Sequence, residues 1–148
     1  MGPPEIRALE PADRAAWDPL WQGYLTFYET VLPATTTDLT WSRFHDPTEP
    51  MFALGAFVDG RLVGIVHYLF HRVTWSATDR CYLEDLFVAE TARGHGVARA
   101  LIAAVVDRAR AAGSARVYWH THETNRTAQA LYDKVATLSG FIQYRIET

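Results

Sequence analysis

A single cysteine, Cys81, excludes an intrachain disulfide framework and leads us to expect a reducing, cytoplasmic setting. No apolar run approaches the roughly 20 residues that a membrane-spanning helix requires, so no membrane partner is expected. The opening MGPPEIRALE lacks the basic-then-apolar order of an export signal. There is no cationic excess: 14 basic against 17 acidic side chains leave a net charge of −3, and 13 of the basic ones are Arg. Nucleic-acid binding draws most of its affinity from counterion release by a basic face, so no nucleic-acid partner is expected. Proline is missing beyond residue 50, all seven lying within the first fifty residues. Nothing repeats at a fixed period, and no low-complexity linker divides the chain.

What is present is an ordinary globular composition, 49% hydrophobic and 21% charged over 148 residues. A chain of this size buries about 70% of its unfolded surface, enough for one domain over 1–148. Residues 4–9 read as a short strand. Trp17, Leu20, Trp21, Tyr24, Leu25 and Tyr28 recur at helical spacing, interrupted at Pro19, where the helix kinks or restarts with Asp18 as cap. A second helix is expected over 37–45. MFALGAFV (51–58) and RLVGIVHYLF (61–70) flank Asp59-Gly60, a hairpin turn signal. CYLEDLFV (81–88) is a further strand. Val97, Leu101, Ile102, Val105, Val106 and Ala109 line one face of a helix over 97–111, with Gly113 as its stop. RVYWHT (116–121) reads as a strand, 125–137 as a helix and FIQYRI (141–146) as a terminal strand. Strand 81–88, helix 97–111 and strand 116–121 form a βαβ unit with parallel strands, and the antiparallel hairpin before it makes the sheet mixed. The class is α/β (α+β).

The loop Arg93-Gly94-His95-Gly96-Val97-Ala98 carries the chemical signal. Two glycines entering a helix N-terminus expose unpaired N–H groups and the positive end of the helix dipole, which suits a phosphate or pyrophosphate. Arg93 would add a charged fork. A dinucleotide-binding fingerprint fails, because Arg99 replaces its third glycine and Arg116 stands near where a ribose-binding acid belongs. A P-loop fails for want of the Gly-Lys-Ser/Thr ending.

With its surroundings the loop resembles the GCN5-related N-acetyltransferases, the GNAT superfamily. YLEDLFV (82–88), RGHGVA (93–98), RVYWHT (116–121) and NRTAQALYDKV (125–135) stand in that family's order and spacing. Arg93, Gly96 and Ala98 match its pyrophosphate motif. The likeness covers about 51–146 and looks closest to the branch of diamine acetyltransferases and fungal histone and polyamine acetyltransferases. It implies a mixed central sheet splayed between two parallel strands, with helices on both faces. Residues 1–50 would shape the acceptor side, and 81–137 would form the acetyl-CoA-binding core.

The resemblance further implies direct acetyl transfer from acetyl-CoA to a primary amine in a ternary complex, with polyamine-like or other small amino compounds as acceptors and no metal. Leu86, Phe87 and Val88 would line the acetyl and pantetheine arm, Gly94, His95 and Val97 would join Arg93, Gly96 and Ala98 at the pyrophosphate, and Asn125 and Tyr132 would also meet the coenzyme. Tyr132 matches the family's general acid and Glu84 the diamine branch's base, with the Val88 amide as oxyanion donor. A homodimer is implied too, and FIQYRI can pair across a two-fold axis.

Each residue has another reading. Ala128, Leu131, Tyr132 and Val135 form an apolar helical stripe, so Tyr132 is equally placed for core packing. Glu84 and Asp85 are strand neighbours expected to point to opposite faces, only one of them into the cleft. His120 and His122 share a strand face and line the acceptor side or, with further ligands, a metal. His95 is expected to be exposed, and His67 and His71 to be packing or rim groups. Tyr28, Glu29, Asp38 and Trp75 are candidates for meeting a cationic amine. Cys81 begins its strand, away from the helix N-terminus that activates a thiol. The rivals are a protein lysine or N-terminal amine acetyltransferase, a non-catalytic acyl-CoA sensor of the same fold and, last, a dinucleotide-binding module.

Overall fold

The computed structural model describes all of residues 1–148. Five strands, β1 (Glu5–Ala8), β2 (Met51–Val58), β3 (Arg61–His71), β4 (Arg80–Val88) and β5 (Val117–Tyr118), form one sheet in that spatial order. β1 to β4 pair antiparallel and β5 joins β4 in parallel. The β2–β3 turn is Asp59-Gly60, with φ of 50° and 78°, the left-handed pair that matches strand twist.

β2 and β3 are apolar on both faces because helices cover both. On one face α1 (Arg14–Phe27) and α2 (Ala34–Phe44) bury Trp17, Leu20, Trp21, Leu25 and Trp41 against Ala53, Phe57 and Ile65. On the other, α3 (Val97–Ala111) buries Val97, Leu101, Ile102, Val105 and Ala109 against Leu54, Ala56, Val66, Tyr68, Cys81 and Leu83. α4 (Arg126–Val135) adds Leu131, Tyr132 and Val135 to that second core. No helix is long and apolar enough to cross a membrane.

Three expectations change. α1 runs unbroken through Pro19, and Asp18 does not cap it but accepts from Arg14 Nε at 2.9 Å. Proline in a helix costs about 3 kcal/mol, and burying even two large apolar side chains at about 1.5–3 kcal/mol each outweighs it. α2 starts at Ala34, directly after Pro33, rather than at 37. The terminal strand is absent: residues 136–148 adopt no regular structure, and Leu138, Phe141, Ile142, Tyr144 and Ile146 are 76% to 89% exposed. FIQYRI has strand-forming residues, but it pairs with no sheet edge of its own chain.

Gly64 on β3 seats the start of α3. A Cβ there would lie 2.9 Å from Val97 Cγ1 and 3.1 Å from Leu101 Cδ1. Both neighbours are buried, and Val97 is stiff at χ1. Gly64→Ala is expected to cost about 1–3 kcal/mol by overpacking, read as a lower urea midpoint at unchanged m-value. An unchanged midpoint would show that α3 can lift off the sheet freely.

Candidate active site

The site is built around an irregularity in β4. Asp85 and Leu83 face consecutive β3 residues, His67 and Tyr68, so Glu84 is the extra residue of a β-bulge. Cys81, Leu83, Leu86 and Val88 belong to the α3-side core, whereas Phe87 packs on the α1 side and Asp85 bonds His67 there. The inward–outward alternation therefore skips one step between Glu84 and Asp85. The expected opposition of the two carboxylates is corrected: both stand on the α1 side.

The same irregularity opens the sheet. β5 pairs with β4 only at Cys81–Val117 and Tyr82–Tyr118, so the strand expected over 116–121 keeps two ladder residues and then diverges. Ala89 N–H donates to Val63 O on β3. Alternation along the strand turns the N–H groups of Leu86 and Val88 the other way, into the split. Phe87 points its N–H at β3 and its ring at α1, where it fills the space beside Gly23, so it offers the split no donor.

At the end of β4 the loop turns into α3 through Gly94 and Gly96, with φ of 80° and 78°. No N–H from Gly94 to Arg99 meets a backbone carbonyl. Those groups converge on the positive end of a helix, and a Cβ at either glycine would meet nothing, so the cradle is open. Arg93 Nε donates to Val88 O at 3.1 Å, which holds its guanidinium beside both the split and the cradle. His95 is exposed there.

Tyr132 enters from α4, half-buried, its ring edge-on to Trp119 at 5.4 Å. Burial, with the Tyr28 hydroxyl nearby, pushes its pKa above the usual phenol range, so it carries its proton at neutral pH. Glu84 is exposed, yet partial desolvation by the surrounding protein, then the charge of Asp85, raises its pKa; the Tyr82 hydroxyl opposes that rise. Tyr24 and Tyr82 are pushed up strongly, chiefly by burial. Tyr28, Tyr24, Glu84, Asp85 and Tyr132 thus come together around the split.

Other candidates do not join them. Glu29 ends α1 in the left-handed conformation (φ 53°), exposed, and Asp38 is held by Arg14 at 2.7 Å. Trp75 is 87% exposed on the β3–β4 loop. His120 bonds Tyr82 Oη at 3.1 Å on the rim, and His122 bonds Thr124 in the turn before α4, so the two do not converge. His71 is a rim group, 2.6 Å from Tyr118 Oη. Asn125 caps α4 by accepting from Ala128 N at 3.3 Å. A concavity walled by Pro47, Phe52, Phe70 and Asp79 shares no residue with the split. The reading from sequence missed the buried Trp17–His67–Asp85 constellation; its one signal was a histidine inside the apolar run IVHYLF.

Free strand amides leading to an amide-lined helix terminus make a channel for an extended acyl chain with a pyrophosphate at its far end, the arrangement of a coenzyme A-dependent acetyltransferase. Residues 17–136 match the acetyltransferase (GNAT) family, and the chain belongs to that family. It is 40% identical over 142 residues to the D-amino-acid N-acetyltransferase HPA3 of Saccharomyces cerevisiae, covering 95% of this chain and 88% of that one. A crystal structure of a probable acetyltransferase superposes with a TM-score of 0.86 at 23% identity, over 97% of both chains. AAC(6')-Iy in complex with the bisubstrate analog CoA-S-monomethyl-acetylneamine superposes with a TM-score of 0.84 at 17% identity, over 99% of both. The protein is an acetyltransferase, GNAT enzymes use acetyl-CoA, and the donors along the split fit that cosubstrate.

Cys81 is fully buried in the α3-side core, and burial pushes its thiol pKa up to about 11. The native enzyme is expected to react with a thiol reagent at pH 8 at least about tenfold more slowly than free cysteine, and to keep its activity throughout. Rapid labelling with parallel loss of activity would reopen a covalent acyl-cysteine route.

Proposed function

We propose that this enzyme moves acetyl from acetyl-CoA to the primary amine of a small amino compound, amino-acid-like or polyamine-like, by direct attack within a ternary complex. The observation that carries the reading is the β4 bulge, which sets Glu84 and Asp85 together beside open strand amides. The 40% identity to a D-amino-acid N-acetyltransferase favours a compact acceptor. Three chemical needs meet three groups. Glu84 takes the proton from the acceptor ammonium through water, helped by its raised pKa. The Val88 N–H donates to the oxyanion formed when the amine attacks the thioester carbonyl. Tyr132 gives its proton to the departing thiolate. The Leu86 amide and the Phe87 position align the acyl arm, the amides of Gly94 to Ala98 with Arg93 hold the pyrophosphate, and Asn125 fixes the turn before α4. On the acceptor side Tyr28 stands near Asp85 and Tyr132, with His120 at the rim; Glu29, Trp75 and His122 serve only an acceptor long enough to reach them.

Residues 1–148 act as one domain in this reading, 1–50 shaping the acceptor side and 81–137 holding acetyl-CoA. A homodimer belongs to it as well: the apolar tail 137–148 is exposed, and β5 leaves an edge only two residues long. A second copy supplies the covering for both. The lone free thiol, Cys81, supports a cytoplasmic location.

The test is thiol release from acetyl-CoA against D- and L-amino acids, polyamines, aminoglycosides and a lysine peptide. Tyr132→Phe and Glu84→Gln are expected to lower kcat about 10²–10³-fold, with calorimetric acetyl-CoA affinity within about threefold of wild type. Because Glu84 must be unprotonated, kcat/KM falls as pH drops through its raised pKa, and Glu84→Gln removes that limb. Turnover on the peptide alone moves the acceptor to protein amines; acetyl-CoA binding with no turnover on any amine makes the chain a sensor and sinks the catalytic reading. Light scattering is expected to give twice the chain mass, and deletion of 137–148 half of that. A single-chain mass for the intact protein ends the dimer.

A further inference from the structure

The α1 side of the sheet holds a buried polar constellation that the transfer chemistry does not use directly. His67 on β3 is 3% exposed, and Trp17 above it is fully buried. Trp17 Nε1 lies 3.0 Å from His67 Nε2. An indole N–H can only donate, so Nε2 accepts and the imidazole proton sits on Nδ1. That N–H donates to Asp85 Oδ2 at 2.9 Å. The contact has the geometry of an ion pair, yet the indole donor makes it a hydrogen bond from a neutral ring. Phe44 at 4.6 Å, Trp21 at 5.2 Å and Trp17 at 5.9 Å, between ring centroids, enclose the imidazole.

We propose that Trp17 and His67 form a tautomer lock that holds Asp85 as an oriented carboxylate beside Glu84, so that Glu84 is the member of the pair that takes the acceptor's proton. His67 is a positioning residue. Its Nε2 is closed by the indole and its Nδ1 already bears a proton, so it can relay none. Oδ2 of Asp85 is occupied as an acceptor, so the carboxylate is held in one orientation beside Glu84. Two carboxylates in one site favour a proton on one of them, and the donor held against Asp85 leaves Glu84 as that one. Glu84 faces Asp85 and Tyr82 on its own strand, His67 on β3, Tyr24 on α1 and Tyr118 on β5. Asp85 faces His67, Glu84, Tyr82 and the α1 hydroxyls of Tyr24 and Tyr28. No cation stands among these groups, and the imidazole N–H is the donor whose direction the indole fixes.

The lock rests on Glu84 being the base, and two readouts separate the failure of one from the failure of the other. The first needs no activity: long-range ¹⁵N–¹H correlation on the intact protein at pH 7, with His67→Asn assigning the signal. A proton on Nδ1 and a bare Nε2 are expected, and Trp17→Phe, which removes the donor together with part of the ring, should populate the Nε2–H form. A wild-type proton on Nε2, or on both nitrogens, overturns the lock even if Trp17→Phe fails to fold. The second is the acid limb of kcat/KM. Asp85→Asn removes the like charge and should move the limb to lower pH by about half a unit or more. His67→Leu, which lets Asp85 take the shared proton and lose its charge, should likewise move it to lower pH. His67→Asn keeps an amide donor where Nδ1 lies and should leave the limb within about 0.2 units of wild type. Equal shifts in His67→Leu and His67→Asn overturn the positioning role. A wild-type acid limb untouched by Glu84→Gln, with the Nδ1–H tautomer intact, removes the base and leaves the lock standing as a purely structural device.

Discussion

One extra residue in β4 governs the rest of the molecule. A parallel ladder between β4 and β5 would satisfy the backbone of both strands, and here it is broken off after two pairs. Each backbone N–H left without a partner costs about 1–3 kcal/mol if it is also shut away from water. The split avoids that cost by remaining open, which leaves its unpaired amides accessible. The bulge at Glu84 also changes the facing of everything beyond it on the strand. Without it Asp85 and Phe87 would lie on the α3 side, and His67 would have no acceptor.

The two faces of the sheet have different physical characters. The α3 side is aliphatic, closely seated over Gly64, and ends in a helix N-terminus aimed at the cleft. The α1 side is a slab of aromatic rings: Trp17 on Trp21 at 5.7 Å, Trp21 on Tyr24 at 5.3 Å and Tyr24 on Tyr28 at 4.9 Å. Such pairs contribute about 0.5–1.5 kcal/mol each beyond area burial. The ladder of rings runs along α1 from the fully buried Trp17 to Tyr28 at the split, so the α1 side of the split is walled by stiff side chains. The helix tolerates Pro19 for the same reason: the slab holds it in place from below.

The C-terminal region is the counterpart of that rigidity. α4 docks through Leu131, Tyr132 and Val135, and the chain beyond it carries apolar side chains into solvent. Scattered single apolar side chains are normal on a protein surface, and a run of them like this one is not. Tyr132 thus sits between a well-packed half of the molecule and a half whose packing is unfinished within one chain.

Much of this was legible in the amino-acid order. The β2–β3 hairpin follows from Asp59-Gly60, which alone accepts the two positive φ angles, and α3 from an apolar stripe of period 3.6 that ends before Gly113. The glycine-rich loop announced an anion cradle, and the motifs around it announced the family. Local periodicity carried those signals because each depends on residues a few positions apart. It failed where a partner strand decided the outcome. Strict period-2 alternation set Glu84 and Asp85 on opposite faces, and only pairing with His67 and Tyr68 shows that one residue is extra. The same limit applies to 116–121 and 141–146, which have strand-forming sequences but lack an edge to pair with. The buried bond from Trp17 to His67 joins residues 50 positions apart. Sequence by itself determined the elements, the family and the cradle, because propensity and turn chemistry are local; the tertiary structure alone decided which carboxylates meet and where the sheet opens, because register and burial are properties of pairs of distant segments.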